Sequence, residues 1–417
     1  MEIKRELLLN RLLDLRHNKM IKVVTGMRRC GKSYLLFNLF SDALKAEGVD
    51  EQHIIKINLE DRRNKALRDP DKLLEYIDSR LQDDKMHYIL LDEVQLVSEF
   101  EDVLNSYLQI ENADVYVTGS NARFLSKDVI TEFRGRGFEV RVHPLSFQEF
   151  RGAFQEEPIE QLWVKYMTFG GLPQVVTMTS DKERVAYLKS LFKHTYLKDI
   201  KERYDIKLDS DLEELIRTLA SAVGGLTNPR KLADTFHSVK KSTISQDTIK
   251  VYIDYLQDAF IIERALRYDI KGKRYIDTPS KFYFEDLGLR NALLNFRQVE
   301  KTHLMENAIY NELRSRGMAV DVGEVIWNTK DEEGKKIRKT LEVDFVCNQG
   351  YKRLYIQSAF SIPDDEKREQ ELQSLKRIDD SFQKIVIVGD YSPRYQNEDG
   401  IMFMDVYDFL MDKGSME

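Results

Sequence analysis

Hydrophobic and polar residues alternate in blocks along the first 150 residues. Short apolar runs end at glycine or at acidic residues, a pattern typical of buried strands that lead into loops. The runs predict five strands: 20–26, 53–60, 87–93, 114–120 and 138–145. Stretches with apolar residues at helical spacing predict helices from Ser33, over 71–82 and over 98–110. Strands separated by helices indicate an α/β fold with a parallel sheet covered on both faces.

The pattern changes after this region. Residues 151–210 are mainly helical, with one interruption at Gly170-Gly171-Leu172-Pro173. Three helices followed by two strands then have the outline of a winged helix, and the last part has a helix followed by several strands. The sequence therefore predicts an α/β domain, a helical lid subdomain, a winged helix and a small α/β domain, with boundaries 1–150, 151–210, 211–300 and 301–417.

Composition and sequence pattern argue against several classes of protein. The apolar runs are short, so no membrane span and no membrane partner are expected. Charges are scattered through the first 19 residues, which predicts that they are not a signal peptide. Cys30 and Cys347 are too far apart in sequence to suggest a disulfide framework, which favours a reducing, cytoplasmic location.

Charge is distributed unevenly. The chain has 64 Lys and Arg against 71 Asp and Glu, and its net charge of −7 excludes a polycation. Residues 230–274 have ten cations and six anions, a surplus of four positive charges. Such a segment can neutralise DNA phosphates. The predicted contacts are Lys240, Lys241, Ser242, Thr243 and the basic tip 271–274. Winged helices also dock proteins or act as lids, so DNA and an unknown protein partner both remain open.

A phosphate-binding loop follows the first predicted strand. The sequence from Gly26 to Ser33 matches G-x-x-x-x-G-K-[ST] and lies between a strand and a helix, the context that this motif requires. The nucleotide-binding residues are therefore predicted to be Gly26, Met27, Arg28, Arg29, Cys30, Gly31, Lys32 and Ser33. Lys32 is expected to reach the β- and γ-phosphates, and the Ser33 hydroxyl to bind Mg²⁺. The alternative is a glycine-rich turn with a solvated lysine.

Acidic and polar residues end two further strands. Asp92 is predicted to bind Mg²⁺, and Glu93 to orient the attacking water. Ser120 and Asn121 follow the next strand, where Ser120 is expected to bind the nucleotide and Asn121 to contact the γ-phosphate or the water. A turn or a helix cap explains each of these two residues equally well.

Arginine residues supply further candidates for catalysis. A positioned arginine stabilises the charge that develops on the γ-phosphoryl oxygens. Arg136 is preferred for this role, followed by Arg134, and each is predicted to act within its own chain or on a neighbouring subunit. The oligomeric state stays open. Cys30 is interpreted as a small buried residue rather than a nucleophile, because the loop supplies no base.

These motifs resemble a known group, the prokaryotic AAA-type ATPases. The shared motifs are T-G-x-R-R-x-G-K-[ST] at Thr25–Ser33, L-D-E at Leu91–Glu93 and T-G-S-N at Thr118–Asn121. Gly135-Arg136, Pro144–Phe147 and Gly170–Pro173 resemble later motifs of the group, so the resemblance extends almost from end to end. It implies an AAA-type P-loop sheet, Mg²⁺-dependent binding and hydrolysis of ATP, and a C-terminal half similar to a winged helix followed by a restriction-endonuclease-like domain.

The nuclease-like region departs from the pattern of PD-(D/E)xK enzymes, which place a carboxylate and a lysine two residues apart on one strand. Glu306 and Asp344 match acidic positions, but Gln357 and Ala359 stand where Glu and Lys are expected. Nuclease activity is therefore not predicted. A coincidental match of surface charges is the alternative interpretation.

The leading hypothesis is an ATPase that couples hydrolysis to a conformational change of its C-terminal module, which consists of the winged helix and the nuclease-like domain. Two alternatives remain: a slow nucleotide switch that binds a protein partner, and an ATP-dependent nuclease. Glu93 favours turnover over the first, and Gln357 with Ala359 argues against the second.

Overall fold

The computed structural model describes residues 3–119, 135–154, 156–206, 209–330 and 336–416. These residues form two compact units. The first contains Met1–Leu145 together with Leu172–Thr177 and Asp258–Phe260, and the second contains the rest of the chain. Each unit has its own sheet.

The sheet of the first unit has five strands, all paired in parallel. The strands are β1 (Ile21–Thr25), β2 (Ile54–Asn58), β3 (His87–Asp92), β4 (Ala113–Thr118) and β5 (Gly137–Arg141). Their order is β2-β3-β4-β1-β5, so β1 lies between β4 and β5. The predicted α/β fold with a five-stranded parallel sheet is confirmed.

The first unit also contains helices, most of which connect these strands. They are Glu6–Asp14, Lys32–Tyr34 continued by the π-helical Leu35–Phe40 and by Ser41–Ala46, Pro70–Asp78, Phe100–Tyr107, Pro173–Val176, and the 3₁₀ turns Glu51–His53, Arg62–Arg68 and Val94–Leu96. The helix Pro70–Asp78 begins where the sequence predicts, because Asp69 accepts the backbone N–H of Lys72 and a proline occupies the first turn.

Apolar side chains fix the position of β3. All six of its residues are buried. Ile89 and Leu91 belong to a core cluster that also contains residues of the helices Pro70–Asp78 and Phe100–Tyr107. Burial of a full apolar side chain contributes about 1.5–3 kcal/mol. The strand end that carries Asp92 is therefore held rigidly.

The second unit begins with helices. Its helices are Phe147–Gly152, Ile159–Phe169, Asp181–Leu191 continued by the π-helical Phe192–Tyr196, Leu197–Tyr204, Asp209–Ser221, Pro229–Lys240, Gln246–Asp258, Leu287–Leu293, Lys301–Ser315, Asp365–Leu375 and Val406–Met411. The mainly helical pattern of 151–210 is thus present in the described residues.

An eight-stranded mixed sheet forms the rest of the second unit. Its strands are β6 (Ile262–Asp269), β7 (Arg274–Phe284), β8 (Ala319–Lys330), β9 (Lys336–Gln349), β10 (Lys352–Ala359), β11 (Gln383–Val388), β12 (Tyr395–Gln396) and β13 (Met402–Asp405). The order is β12-β13-β11-β10-β9-β8-β6-β7. A buried cluster containing Val343, Tyr355 and Leu372 lies between this sheet and the helix Asp365–Leu375.

The three helices and the hairpin expected of a winged helix are present, but the hairpin has a second role. Strand β6 pairs with β7 in antiparallel and with β8 in parallel. The hairpin therefore belongs to the same sheet as the strands after residue 301. The winged helix, the nuclease-like domain and the four-domain division stay predictions.

The loop Gly170-Gly171 has a specific packing reason. Gly170 has a φ of +73°, and a Cβ atom there would lie 2.3 Å from a carboxylate oxygen of Asp286. Asp286 accepts the backbone N–H of Gly171 at 2.8 Å and caps the helix Leu287–Leu293. Only glycine permits this approach.

None of the helices formed by the described residues is both long enough and apolar enough to span a lipid bilayer.

Candidate functional site

The phosphate loop lies at the carboxyl end of β1, in the middle of the first sheet. Gly26 has a φ of +137°, and a Cβ atom there would lie 2.1 Å from the carbonyl oxygen of Val142. Gly31 has a φ of +99° at the start of the helix that follows. The two motif glycines thus permit a curled backbone whose N–H groups precede a helix N-terminus, an arrangement that suits phosphate oxygens.

Lys32 is held inside the loop. Its side chain is 5% exposed, and Nζ donates to the carbonyl oxygens of Gly26 at 2.9 Å and Met27 at 3.0 Å. An ammonium group has three N–H donors. The positive charge is therefore placed at the centre of the loop, where a phosphate would be bound.

Ser33, Asp92 and Thr118 bring three side-chain oxygens together at the sheet edge. Ser33 Oγ donates to Asp92 Oδ1 at 2.9 Å, and the buried Thr118 hydroxyl donates to the same oxygen. Burial raises the pKa of Asp92 above its ordinary value, and these two hydrogen bonds oppose the increase. Hydroxyl and carboxylate oxygens are the ligands that Mg²⁺ prefers. The structure therefore brings together the two predicted metal ligands.

Glu93 has a strained backbone. Its φ of +56° and ψ of +49° are left-handed, a conformation that costs about 1–3 kcal/mol outside glycine and clusters at functional sites. The Glu93 N–H donates to Thr118 Oγ1 at 3.1 Å, and Gln95 donates to its carboxylate. Thr118 thus positions both acidic residues, a role that its place at the end of the adjacent strand could have indicated.

The other loop residues differ in exposure. Met27 and Cys30 are buried, which fits the interpretation of Cys30 as a packing residue. Arg28 is half-buried and lies 3.7 Å from a carboxylate oxygen of Glu60, while Arg29 is exposed with a φ of +69°. The backbone of all four is thus part of the loop, and Arg29 presents its side chain to solvent.

Arg136 lies far from this loop. Its carbonyl oxygen accepts the N–H of Ile21, the first residue of β1, and its side chain is exposed. The phosphate loop follows the last residue of β1, about 13–16 Å away at strand spacing. The structure does not bring Arg136 to the loop of its own chain. Of the two predicted actions, only the one on a neighbouring subunit is compatible with this position.

Ser120, Asn121 and Arg134 lie outside the described residues. Pro173, from the Gly170–Pro173 motif, lies close to the loop, since its Cγ would be 3.6 Å from a Cβ atom at Gly31. The sequence motif marked this segment without indicating its proximity to Gly31.

Comparison with known proteins gives the family. An uncharacterized protein of Haemophilus influenzae is 33% identical over 414 residues, which cover 98% of both chains. The chain belongs to this protein's family. An uncharacterized protein of Methanocaldococcus jannaschii is 27% identical over 370 residues, 86% of this chain and 78% of that one.

Two family models match separate regions. Residues 18–151 match an AAA domain, and residues 160–300 match a domain of unknown function, DUF8612. The first range contains the five-stranded sheet and the loop. This family member therefore carries an AAA-type P-loop ATPase domain, called the AAA domain below.

Solved structures give a weaker likeness. The Orc1 protein of Aeropyrum pernix in complex with DNA is 14% identical, with a TM-score of 0.29 and coverage of 71% of this chain and 93% of that one. Cdc6p of Pyrobaculum aerophilum is 12% identical, with a TM-score of 0.30 and coverage of 74% and 97%. TM-scores this low carry no argument about function.

The basic segment 230–274 is partly neutralised. Arg264 pairs with Asp277 at 2.8 Å and Arg267 pairs with Glu324, and both acidic residues lie outside the segment. Lys241 and the hairpin-tip residues Lys271, Lys273 and Arg274 are exposed, although Lys271 lies 3.7 Å from Asp379 and Arg274 lies 3.6 Å from Asp269. The positive charge available for a ligand is thus concentrated at the β6–β7 turn and after the helix Pro229–Lys240.

A buried ionic cluster occupies the nuclease-like region. Lys281 of β7 is buried, and its Nζ lies 2.9 Å from Glu306, 2.7 Å from Glu342 and 3.6 Å from Asp344. Burial opposes protonation of Lys281, but the three carboxylates raise its pKa. Burial also raises the pKa of Asp344, to about 7. Lys281 lies sixty-three residues before Asp344, and no strand motif indicated its role.

Gln357 and Ala359 do not contribute polar groups to this cluster. Gln357 Nε2 donates to Glu371 at 3.3 Å, while Ala359 belongs to the apolar core. The strand's contribution to Asp344 is a backbone group, because the Ser358 N–H donates to Asp344 Oδ2 at 2.8 Å. A cation from β7 thus faces the two acidic residues that the sequence had selected.

Proposed function

We propose that the protein binds Mg²⁺ and ATP at the AAA domain and hydrolyses ATP to drive a conformational change of the C-terminal module. The main support is the grouping of Lys32, Ser33, Asp92 and Glu93 at one sheet edge. Loop N–H groups and Lys32 would hold the phosphates, and Ser33 with Asp92 would hold the metal ion. Bound Mg²⁺ would neutralise charge on the β- and γ-phosphates.

Glu93 would orient the attacking water. The Thr118 hydroxyl holds the Glu93 backbone and the Asp92 carboxylate through one oxygen atom. The water-orienting residue is therefore placed relative to the metal ligand, and hydrolysis is favoured over a slow nucleotide switch.

Coupling to the C-terminal module is supported by chain connectivity. Leu172–Thr177 belongs to the AAA domain's unit, while the residues on both sides belong to the second unit. Pro173 in this segment lies close to Gly31 of the loop. Movement of the loop on nucleotide binding would therefore act directly on a segment attached at both ends to the second unit.

DNA is the proposed partner of the exposed basic residues at 230–274, and an unknown protein is the alternative. We expect duplex DNA to increase steady-state phosphate release from Mg–ATP, and binding measured by fluorescence anisotropy to weaken with salt. Replacing Lys241, Lys271, Lys273 and Arg274 by alanine should lower the salt slope by about 0.9 for each lost phosphate contact. Phosphate release without DNA binding would assign the segment to a protein; no phosphate release under any condition would contradict the ATPase proposal.

Nuclease activity is not expected, for a reason additional to Gln357 and Ala359. A divalent ion at Glu306 and Asp344 would compete with the covalently attached ammonium of Lys281, which is already buried against both. Hydrated Mg²⁺ gives up its water reluctantly. The carboxylates are therefore reserved for an internal ion pair.

The test is incubation of the protein with supercoiled plasmid, ATP and either Mg²⁺ or Mn²⁺. We expect nicking no higher than that of Asp344→Ala, the matched control. Nicking that disappears in Asp344→Ala would instead identify an active nuclease, in which Lys281 replaces the lysine that the nuclease pattern expects at position 359.

A further inference from the structure

Two buried histidines meet at the edge of the AAA sheet opposite the phosphate loop. His53 immediately precedes β2 and His87 is the first residue of β3, and these strands are neighbours in parallel. The side chain of His53 is 3% exposed and that of His87 is 1% exposed. Their ring centroids are 4.8 Å apart. Parallel pairing thus places both imidazoles at the same end of the sheet.

Asp83 completes this group. One of its carboxylate oxygens lies 2.9 Å from His53 Nε2 and the other 3.9 Å from His87 Nε2. One ligand atom from each of His53, Asp83 and His87 can be chosen so that all three lie within 4.8 Å of one another. Asn112 holds the connecting loop, because its side chain donates to the carbonyl oxygens of Asp83 at 2.8 Å and Lys85 at 3.2 Å.

The hydrogen bonding of His87 is incomplete. Its Nδ1 atom is buried and has no hydrogen-bond partner in the part of the chain that the structure describes. Its Nε2 atom is too far from Asp83 for a hydrogen bond. A buried polar atom without a partner costs about 1–3 kcal/mol. An ion bound at Nε2 would supply a partner to the ring nitrogen that faces Asp83, and Nδ1 would keep its cost.

We propose that His53, Asp83 and His87 form a binding site for a divalent transition-metal ion, with Zn²⁺ as the preferred ion. Zinc binds imidazole nitrogen and carboxylate oxygen at about 2.0–2.2 Å, so tetrahedral ligand atoms lie about 3.4 Å apart. The two distances from Asp83, 2.9 and 3.9 Å, lie on either side of this value. A zinc site requires His87 Nε2 and the Asp83 carboxylate oxygen to approach each other by about 0.5 Å.

Two further features fit a metal ion. Asp50 lies 3.7 Å from Nδ1 of His53, on the ring edge opposite Asp83. At this distance Asp50 acts on a metal-bound His53 through its negative charge rather than through a hydrogen bond. The Asp83 side chain is 41% exposed, which gives an ion access from solvent and leaves room for a water ligand.

The site is separate from the nucleotide site. His87 and Asp92 are at opposite ends of β3, about 16 Å apart at strand spacing. The bound ion would join the amino ends of β2 and β3, and β3 carries Asp92 at its other end. It would thus stabilise the strand that presents the acidic residues, without contacting ATP.

The test uses full-length protein without a histidine tag, freed of metal by a chelator and kept in excess Mg²⁺ to occupy oxygen-rich sites. Co²⁺ is added and its visible absorption recorded, followed by displacement with Zn²⁺. We expect one Co²⁺ per chain and a Zn²⁺-dependent rise in Tm. His53→Gln and Asp83→Asn should each weaken binding at least tenfold. Loss of an outer-shell partner already weakens binding by about 10–100-fold, and loss of a direct ligand should cost no less.

The matched control is His303→Gln, an exposed histidine in the second unit, which should bind Co²⁺ as the unmodified protein does. Absence of a saturable Co²⁺ spectrum in the unmodified protein overturns the proposal, whether or not the variants fold. Equal binding by the unmodified protein and Asp83→Asn, an exposed position where folding is expected to persist, also overturns it.

Discussion

Lys32→Ala is expected to abolish ATP binding, whereas Glu93→Gln should retain binding and lower turnover by about 10²–10⁴-fold, the range for a group that assists proton transfer. Lys32 places a charge at the centre of the loop after β1, while Glu93 follows Asp92 at the end of β3, which β4 separates from β1. Equilibrium binding of a fluorescent ATP analogue measures the first effect, and steady-state phosphate release measures the second.

Lys72→Ala is the matched control, because Lys72 is an exposed lysine in the same unit; both activities should be unchanged. Lys32→Met keeps most of the apolar stem, and its thermal unfolding separates loss of binding from loss of fold. Equal loss of ATP binding in Lys32→Ala and Glu93→Gln would contradict the separate roles.

Lys281→Met should lower the free energy of unfolding by about 3–5 kcal/mol, the range for breaking a buried ion pair. It leaves Glu306 and Asp344 buried without their cation. Lys198→Met is the matched control, because Lys198 forms an exposed pair with Glu202 at 3.7 Å. An exposed pair contributes about 0–1 kcal/mol. Urea unfolding of both variants measures the difference.

The same experiment has a pH dependence with a definite sign. The pKa of Asp344 is raised from 3.8 to about 7, so the folded state binds a proton that the unfolded state has released. The stability from this proton is present below pH 3.8 and is lost as pH rises through about 7. The charge of Lys281 lowers the pKa of Asp344, so its removal costs most where Asp344 is ionised, and Lys281→Met should lose more stability at pH 8 than at pH 5. A loss that does not vary with pH would contradict this account of Asp344.

Most of the AAA domain could be predicted from sequence because local signals agree there. The buried strand β3, the loop glycines and Pro70 at a helix start each point to the observed structure. The carboxyl ends of parallel strands meet at one edge, so the proximity of Ser33 and Asp92 follows from the fold.

The sequence pattern does not predict the helix Leu287–Leu293, because this helix is buried on all sides. All seven residues are buried, so no polar face produces a helical period. Arg290 in this helix donates to the carbonyl oxygens of Ala220 at 2.8 Å and of Gln298. These partners are distant or irregular backbone groups that the sequence pattern does not mark.

Site residues were missed for a related reason. Lys281 of β7 meets Glu306 of the helix Lys301–Ser315 and Asp344 of β9, a long-range arrangement that carries no local motif. Arg136 illustrates the opposite error, since a motif identifies the residue but not the sheet edge on which it lies. Arg136 immediately precedes β5, at the end of the sheet opposite the loop.

The discontinuous first unit determines how the protein can be divided for experiments. A fragment that ends at residue 150 would lack Leu172–Thr177 and Asp258–Phe260, which belong to the same unit. It would lose Pro173 beside the phosphate loop, and the ring of Phe260 that lies against the Arg141 guanidinium at 4.5 Å. We therefore expect such a fragment to express as an aggregation-prone product. A soluble fragment would need a short linker and grafted segments from two later parts of the gene.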